Sequence, residues 1–153
     1  MQVSHTPGAA KRLRKDAGRF QVIFRAPLKR LPEFAIQLLG GVDPLLSATL
    51  TIETAVFEPN HLQALLAGVS HEPLRQDTIV TSAGREESKR LLSDALADWI
   101  DFFLVPAPKR YVFYADHDEY LTIFGSGKSI VSALGSVLRG EGFECVDGYV
   151  REW

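Results

Sequence analysis

The chain reads as an α+β protein, a layered domain with helices packed on a mostly antiparallel sheet. Three observations predict this. Segments near 19–25, 47–57 and 109–124 alternate apolar and polar residues with the period of a strand. Segments 84–104 and 126–139 repeat apolar residues at three and four, the period of a helix. The order after residue 76 is strand, helix, strand, strand, helix, strand. That βαββαβ order over residues 77–153 is the order of a ferredoxin-like split unit.

Residues 1–18 are small, polar and basic without apolar periodicity, so they are expected to form a flexible basic leader. Residues 19–153 are expected to fold as a single α+β domain. Phe20, Val22 and Phe24 alternate with Arg19, Gln21 and Arg25 in the first strand, with Ile23 an exception on its polar face. Pro32 suits the first turn of a helix and Gly40-Gly41 its end. Ser47 to Phe57 is rich in Thr and β-branched residues and predicts a strand. Asn60 is placed to cap a short helix from His61 to Ala67.

Asp77 to Thr81 predicts a short strand. A long helix follows from Gly84 to Leu104, with Leu92, Ala95, Leu96, Trp99, Ile100 and Phe103 on its inward stripe and Pro106 and Pro108 beyond it. Lys109–Ala115 and Glu119–Phe124 predict a hairpin whose tip is Asp116-His117-Asp118. A last helix runs from Ser126 to Arg139. The final segment, Phe143–Trp153, predicts a strand or a small hairpin about Asp147-Gly148, which would set Glu144 opposite Arg151.

At 153 residues, with 46% hydrophobic and 24% charged, the chain can bury a core without metal or disulfide staples. That composition excludes collagen, a coiled coil and wholesale disorder. The single cysteine, Cys145, cannot close an internal disulfide, so a reducing, cytoplasmic setting is expected. Cys145 beside Phe143 reads as a small buried residue rather than a nucleophile. No uncharged apolar run reaches the ~18 residues of a membrane span.

The net charge of −2 hides an asymmetry. Residues 1–30 hold eight basic residues and one acid, whereas the other 123 hold nine basic and eighteen acidic residues. Such asymmetry concerns partners rather than fold. The cluster Lys11-Arg12-Leu13-Arg14-Lys15 is the one place where contact with nucleic acid is considered; otherwise it is a solubilising run.

Two constellations carry candidate chemistry. Gly125-Ser126-Gly127-Lys128-Ser129 stands between a strand and a helix, the context in which backbone N–H groups and an ammonium hold phosphate. The full phosphate-loop pattern needs a glycine where Thr122 stands. Asp116, His117, Asp118 and Glu119 place acids and an imidazole on one hairpin tip, where an acid could orient the histidine as a base. Adjacent strand residues point to opposite faces, which opposes their convergence.

A third feature is acidic rather than catalytic. Asp94, Asp98 and Asp101 are expected to share one face of the long helix, unpaired, near its negative end. With Asp116, Asp118 and Glu119 they are expected to make an acidic binding surface. The expected function is therefore a non-enzymatic module that binds a basic protein, of the kind that inhibits a nucleic-acid-cleaving toxin. The alternative is a small phosphate- or metal-binding enzyme built on the hairpin tip and the Gly125–Ser129 turn. No cofactor is implied.

Overall fold

The computed structural model describes residues 1–153. The elements in chain order are β1 (Gln2–His5), α1 (Ala9–Asp16), β2 (Phe20–Arg25), α2 (Leu31–Gly40), β3 (Ser47–Thr54), α3 (Asn60–Leu66), β4 (Thr78–Ala83), α4 (Gly84–Ala97), β5 (Asp101–Ala107), β6 (Tyr111–Ala115), β7 (Tyr120–Gly125) and α5 (Lys128–Gly140). The strands form one sheet in the order β1-β4-β3-β5-β6-β7-β2. Every neighbouring pair is antiparallel. The fold is thus α+β on an antiparallel sheet. Strands β4 and β5 flank β3, so the strand that fills the β4–α4–β5 split comes from upstream of residue 77.

One face of the sheet carries the main core. Leu50 and Ile52 of β3, Phe102 and Leu104 of β5, Phe113 of β6 and Ile123 of β7 pack with Phe34, Leu38, Leu92 and Leu134 from α2, α4 and α5. The opposite face is covered by α1 and by residues 149–153. Ala10 and Leu13 of α1 meet Phe103, Val112, Tyr114 and Phe124. The Trp153 ring lies 4.7 Å from Tyr114, 5.5 Å from Phe103 and 5.8 Å from Phe124, centroid to centroid.

The segment expected as a flexible leader forms β1 and α1. Strand β1 pairs with β4, Val3 opposite Val80. Helix α1 has glycine at its N-cap, which supplies no side chain. Its cap comes from far away in sequence: the N–H groups of Gly8 and Ala10 donate to the Asp77 carboxylate at 2.8 and 3.0 Å. Burial pushes the Asp77 carboxyl up, and those two bonds outweigh it, so it lies below its usual range.

The long helix ends at Ala97, seven residues before the expected Leu104, and residues 101–107 form β5 instead. Both faces of β5 are covered, so Phe102-Phe103-Leu104-Val105 shows no alternation, as in any strand buried on two sides. Leu96, Trp99, Ile100 and Phe103 then imitate a helical stripe. Trp99 is half-buried, with φ of 54° in the turn from α4 into β5, rather than at the centre of a buried stripe.

The expected last strand is reduced to one bridge, Phe24 to Cys145. The N–H of Val146 donates to Ile23 O at 2.8 Å. Ile23, the exception in its strand, is 2% exposed on the second face, near this segment. Glu144 pairs with Arg25 rather than facing Arg151. Arg151 instead crosses the second face and binds Asp116, with Nε donating to Thr122 Oγ1 at 3.1 Å. Its guanidinium stands 4.6 Å from the Tyr114 ring centre.

The Arg151 and Asp116 side chains are only 11% and 9% exposed, so removing one charge leaves the other buried and uncompensated. Arg151→Ala is expected to cost about 3–5 kcal/mol in urea unfolding. A loss below about 1 kcal/mol would show that residues 149–153 do not hold the second face.

Candidate functional site

The site is built on the four residues that follow α4. Trp99 takes a left-handed conformation, which reverses the chain and sends two aspartates in different directions. Asp98 turns to the start of α3. Its carboxylate accepts the N–H of His61 at 2.9 Å, the N–H of Leu62 at 2.8 Å and Nδ1–H of His61 at 2.7 Å. Pro59 precedes α3 and offers no capping side chain, so Asp98 supplies the cap expected of Asn60.

Asp101 turns to the β6–β7 hairpin. Its Oδ1 accepts both the N–H and the Nδ1–H of His117, each at 2.8 Å. Asp116 is also occupied. Its Oδ1 accepts the N–H groups of Asp118 and Tyr120 at 3.0 Å each, and its Oδ2 accepts Arg151. Ser93 Oγ is the one buried side-chain oxygen or nitrogen in the chain without a partner, so the buried acids are all satisfied.

The expected shared helical face of Asp94, Asp98 and Asp101 is therefore taken apart. Asp98 and Asp101 are 5% and 8% exposed and bind the frame. Asp94 remains on α4, half-buried, and burial raises its carboxyl above the usual range. Asp118 is exposed, its Oδ1 3.9 Å from His117 Nε2. Glu119 pairs with Arg25.

The two histidines are held alike. Each gives Nδ1–H to a buried aspartate and turns Nε2 outward, with side chains 59% and 39% exposed. A carboxylate-held, partly exposed imidazole suits proton transfer or second-shell-supported metal ligation, and at His117 Asp118 also stands near Nε2. No three His, Cys, Asp or Glu side chains are grouped to hold a metal ion. Neither His61 nor His117 lines the hollows beside α1, α3, α5 or the α4–β5 turn. The acid that orients His117 is Asp101, sixteen residues away, rather than its neighbours Asp116 and Asp118.

The glycine-rich turn lies at the other end of the sheet. Strand β7 separates it from the hairpin tip, so Lys128 and His117 stand roughly 17–20 Å apart. Gly125 is explained by packing: a Cβ there would meet Val131 Cγ2 at 2.6 Å, and a Cβ on Gly18 would meet Gly125 O at 2.1 Å. Gly127 is the N-cap of α5 in extended backbone, and Ser126 makes no capping bond. Lys128 and Ser129 open the helix, exposed. Cys145 is half-buried, with Arg139 Nη2 at 2.9 Å from its sulfur.

One polar group on the second face escaped sequence reasoning. Glu53 lies 5% exposed among strand residues. It accepts Tyr114 Oη–H at 2.6 Å and Arg14 Nε–H at 2.8 Å. Burial, then the bond to Glu53, holds the Tyr114 phenol far above its usual value. The available signal was an acid inside the apolar and threonine run SATLTIET.

No family model, curated protein or solved structure matches the chain. No helix is long and apolar enough to cross a membrane.

The hydrogen bond to Asp101 raises the His117 pKa above its ordinary 6.5, outweighing partial burial, with Asp118 and Asp116 adding to it. A raised histidine stabilises the fold fully below its unfolded pKa, and that contribution is lost as pH rises through the folded one. The His117 Cε1–H resonance is expected to titrate with a midpoint above 6.5, and Asp101→Asn should lower that midpoint. A midpoint unchanged by Asp101→Asn would show that the pair is not formed in solution.

Proposed function

We propose that the protein is a non-enzymatic binding module that engages a basic protein surface through one end of its sheet. The antiparallel register brings the loop after β3, the α4–β5 turn and the β6–β7 tip to the same end. The carrying observation is that segments 54–61, 94–101 and 116–119 hold seven carboxylates and no lysine or arginine. Asp98, Asp101 and Asp116 serve the frame. Glu58 and Asp118 are exposed, Asp94 is half-buried on α4, and Glu119 is shared with Arg25. Val56 and Phe57, 47% and 57% exposed, stand in the same loop as Glu58. Exposed apolar residues ringed by charge have the composition of an interface.

A cationic partner is attracted to such an end and steered by it. A nucleic-acid-cleaving toxin is one such partner, because it must present cations to hold phosphates; an immunity-type inhibitor would cover that surface. A reducing, cytoplasmic setting accords with the single unpaired cysteine. The second reading, acid–base chemistry at His117, is favoured only by its bond to Asp101 and lacks a substrate cleft.

The test reverses the outward charge. Wild type, the double variant Glu58→Lys/Asp118→Lys and the control Glu86→Lys are used as bait against host lysate, at low and high salt. Wild type and Glu86→Lys are expected to retain a common basic protein, released by salt, which the double variant loses. Equal retention of that protein by the double variant, or retention of acidic proteins alone by wild type, overturns the proposal.

A further inference from the structure

Most of the cations that form no ion pair gather on α1 and at the end of the sheet where α1 finishes, with Asp16 among them. Seven of the seventeen lysines and arginines form ion pairs with carboxylates: Arg14, Arg25, Arg30, Arg85, Lys89, Arg139 and Arg151. Seven of the ten others lie on α1 or at the far end of the sheet. Lys11, Arg12 and Lys15 are exposed on α1, Arg19 follows it, Lys109 and Arg110 form the β5–β6 turn, and Lys128 opens α5. Lys128 opposes the positive end of its helix, whose first turn holds no acid. These segments are distant in sequence, and the fold brings their charges together without neutralising them.

A groove runs beside them. Between α1 and the sheet lies a hollow of about 440 Å³, within the ~300–1,000 Å³ range of ligand sites. Leu13, Ile79 and Val105 give it an apolar lining, Thr51 a hydroxyl, and Arg12, Lys109 and the single acid Asp16 its charged edges. Lys109 and Asp16 also line a second hollow of about 240 Å³, to which Arg110 and Ser126 belong. The two hollows therefore adjoin at the basic end.

We propose that this groove binds a single-stranded segment of nucleic acid, with phosphates on Arg12, Lys109 and Arg110 and bases against the apolar lining. Helix α1 has eight residues and is about 12 Å long, so the groove beside it takes only a few nucleotides. The lining holds no aromatic ring, so the bases of an unpaired strand meet it by apolar contact alone; a duplex keeps its bases stacked inside and offers only its backbone. The outer face of α1 exposes charges and no large apolar side chain, which does not suit a lipid surface. The groove lies on the second face, between α1 and strands β3, β4 and β5, and none of its lining residues belongs to segments 54–61, 94–101 or 116–119, so this proposal stands independently of the acidic interface.

The test is fluorescence anisotropy with a labelled single-stranded oligonucleotide, the matching duplex, and an Asp/Glu-rich peptide as competitor. Saturable binding of the single strand is expected, weaker for the duplex and falling as salt rises. Lys109→Glu and Arg12→Glu are each expected to weaken it about tenfold, because each reverses a phosphate contact. Both positions are exposed, and circular dichroism checks that the variants fold. Arg90→Glu, another unpaired cation but on α4, should leave binding unchanged. Four results overturn the proposal: no saturable binding of the single strand, duplex bound as tightly, displacement by the acidic peptide at equal concentration, or equal weakening by Arg90→Glu.

Discussion

Much of one end of this molecule depends on a four-residue turn. Trp99 in the left-handed region ends α4 and reverses the chain into β5, and the aspartates on either side of the reversal become structural. Asp98 caps α3 and holds His61; Asp101 holds the β6–β7 tip through His117. Two separate loops are thereby tied to the start of one strand. A buried carboxylate is costly unless its oxygens are occupied, and each of these accepts at least two donors. The same economy holds at Asp116, which binds the hairpin backbone with one oxygen and Arg151 with the other.

Remote capping is a recurring device here. Helices α1 and α3 begin at glycine and after proline, neither able to cap with a side chain. Asp77 and Asp98 supply the caps from 67 and 36 residues away, counted to the nearer bonded N–H. A reading that seeks the cap in the preceding residue therefore finds none at α1 and assigns a flexible leader. It assigns α3 to Asn60, the nearest polar residue. Strands β2 and β3 and helices α2 and α5 were legible from their periodicity and terminators, and the β6–β7 hairpin, although covered on both faces, from its polar tip between two aromatic and β-branched runs. Strand β5 was not, because it is covered on both sides and loses its alternation. Ile23 and Glu53 were the residues that broke their local patterns, and both mark the second covered face, where α1 and residues 149–153 pack.

The candidate site was legible in composition and illegible in role. Acids and histidines at the hairpin tip and after α4 were visible as residue types. Their division into framework and surface depends on partners far away in sequence: His61 for Asp98, Arg151 for Asp116. The asymmetry between a basic first thirty residues and an acidic remainder becomes spatial only because Lys109, Arg110 and Lys128 return to the end where α1 finishes. The acidic loops occupy the other end. An antiparallel sheet permits this segregation, since alternate connections lie at opposite ends.

Together the two proposals assign the acidic loops and the groove beside α1 different classes of ligand. The direct measurement is amide chemical-shift mapping on one labelled sample, titrated first with a lysine-rich peptide and then with a single-stranded oligonucleotide. The account predicts that the peptide shifts amides in 54–61, 94–101 and 116–119, while the oligonucleotide shifts those in 11–19, 109–110 and 126–129. Both ligands moving the same amides, or neither moving those of its own end, would contradict it.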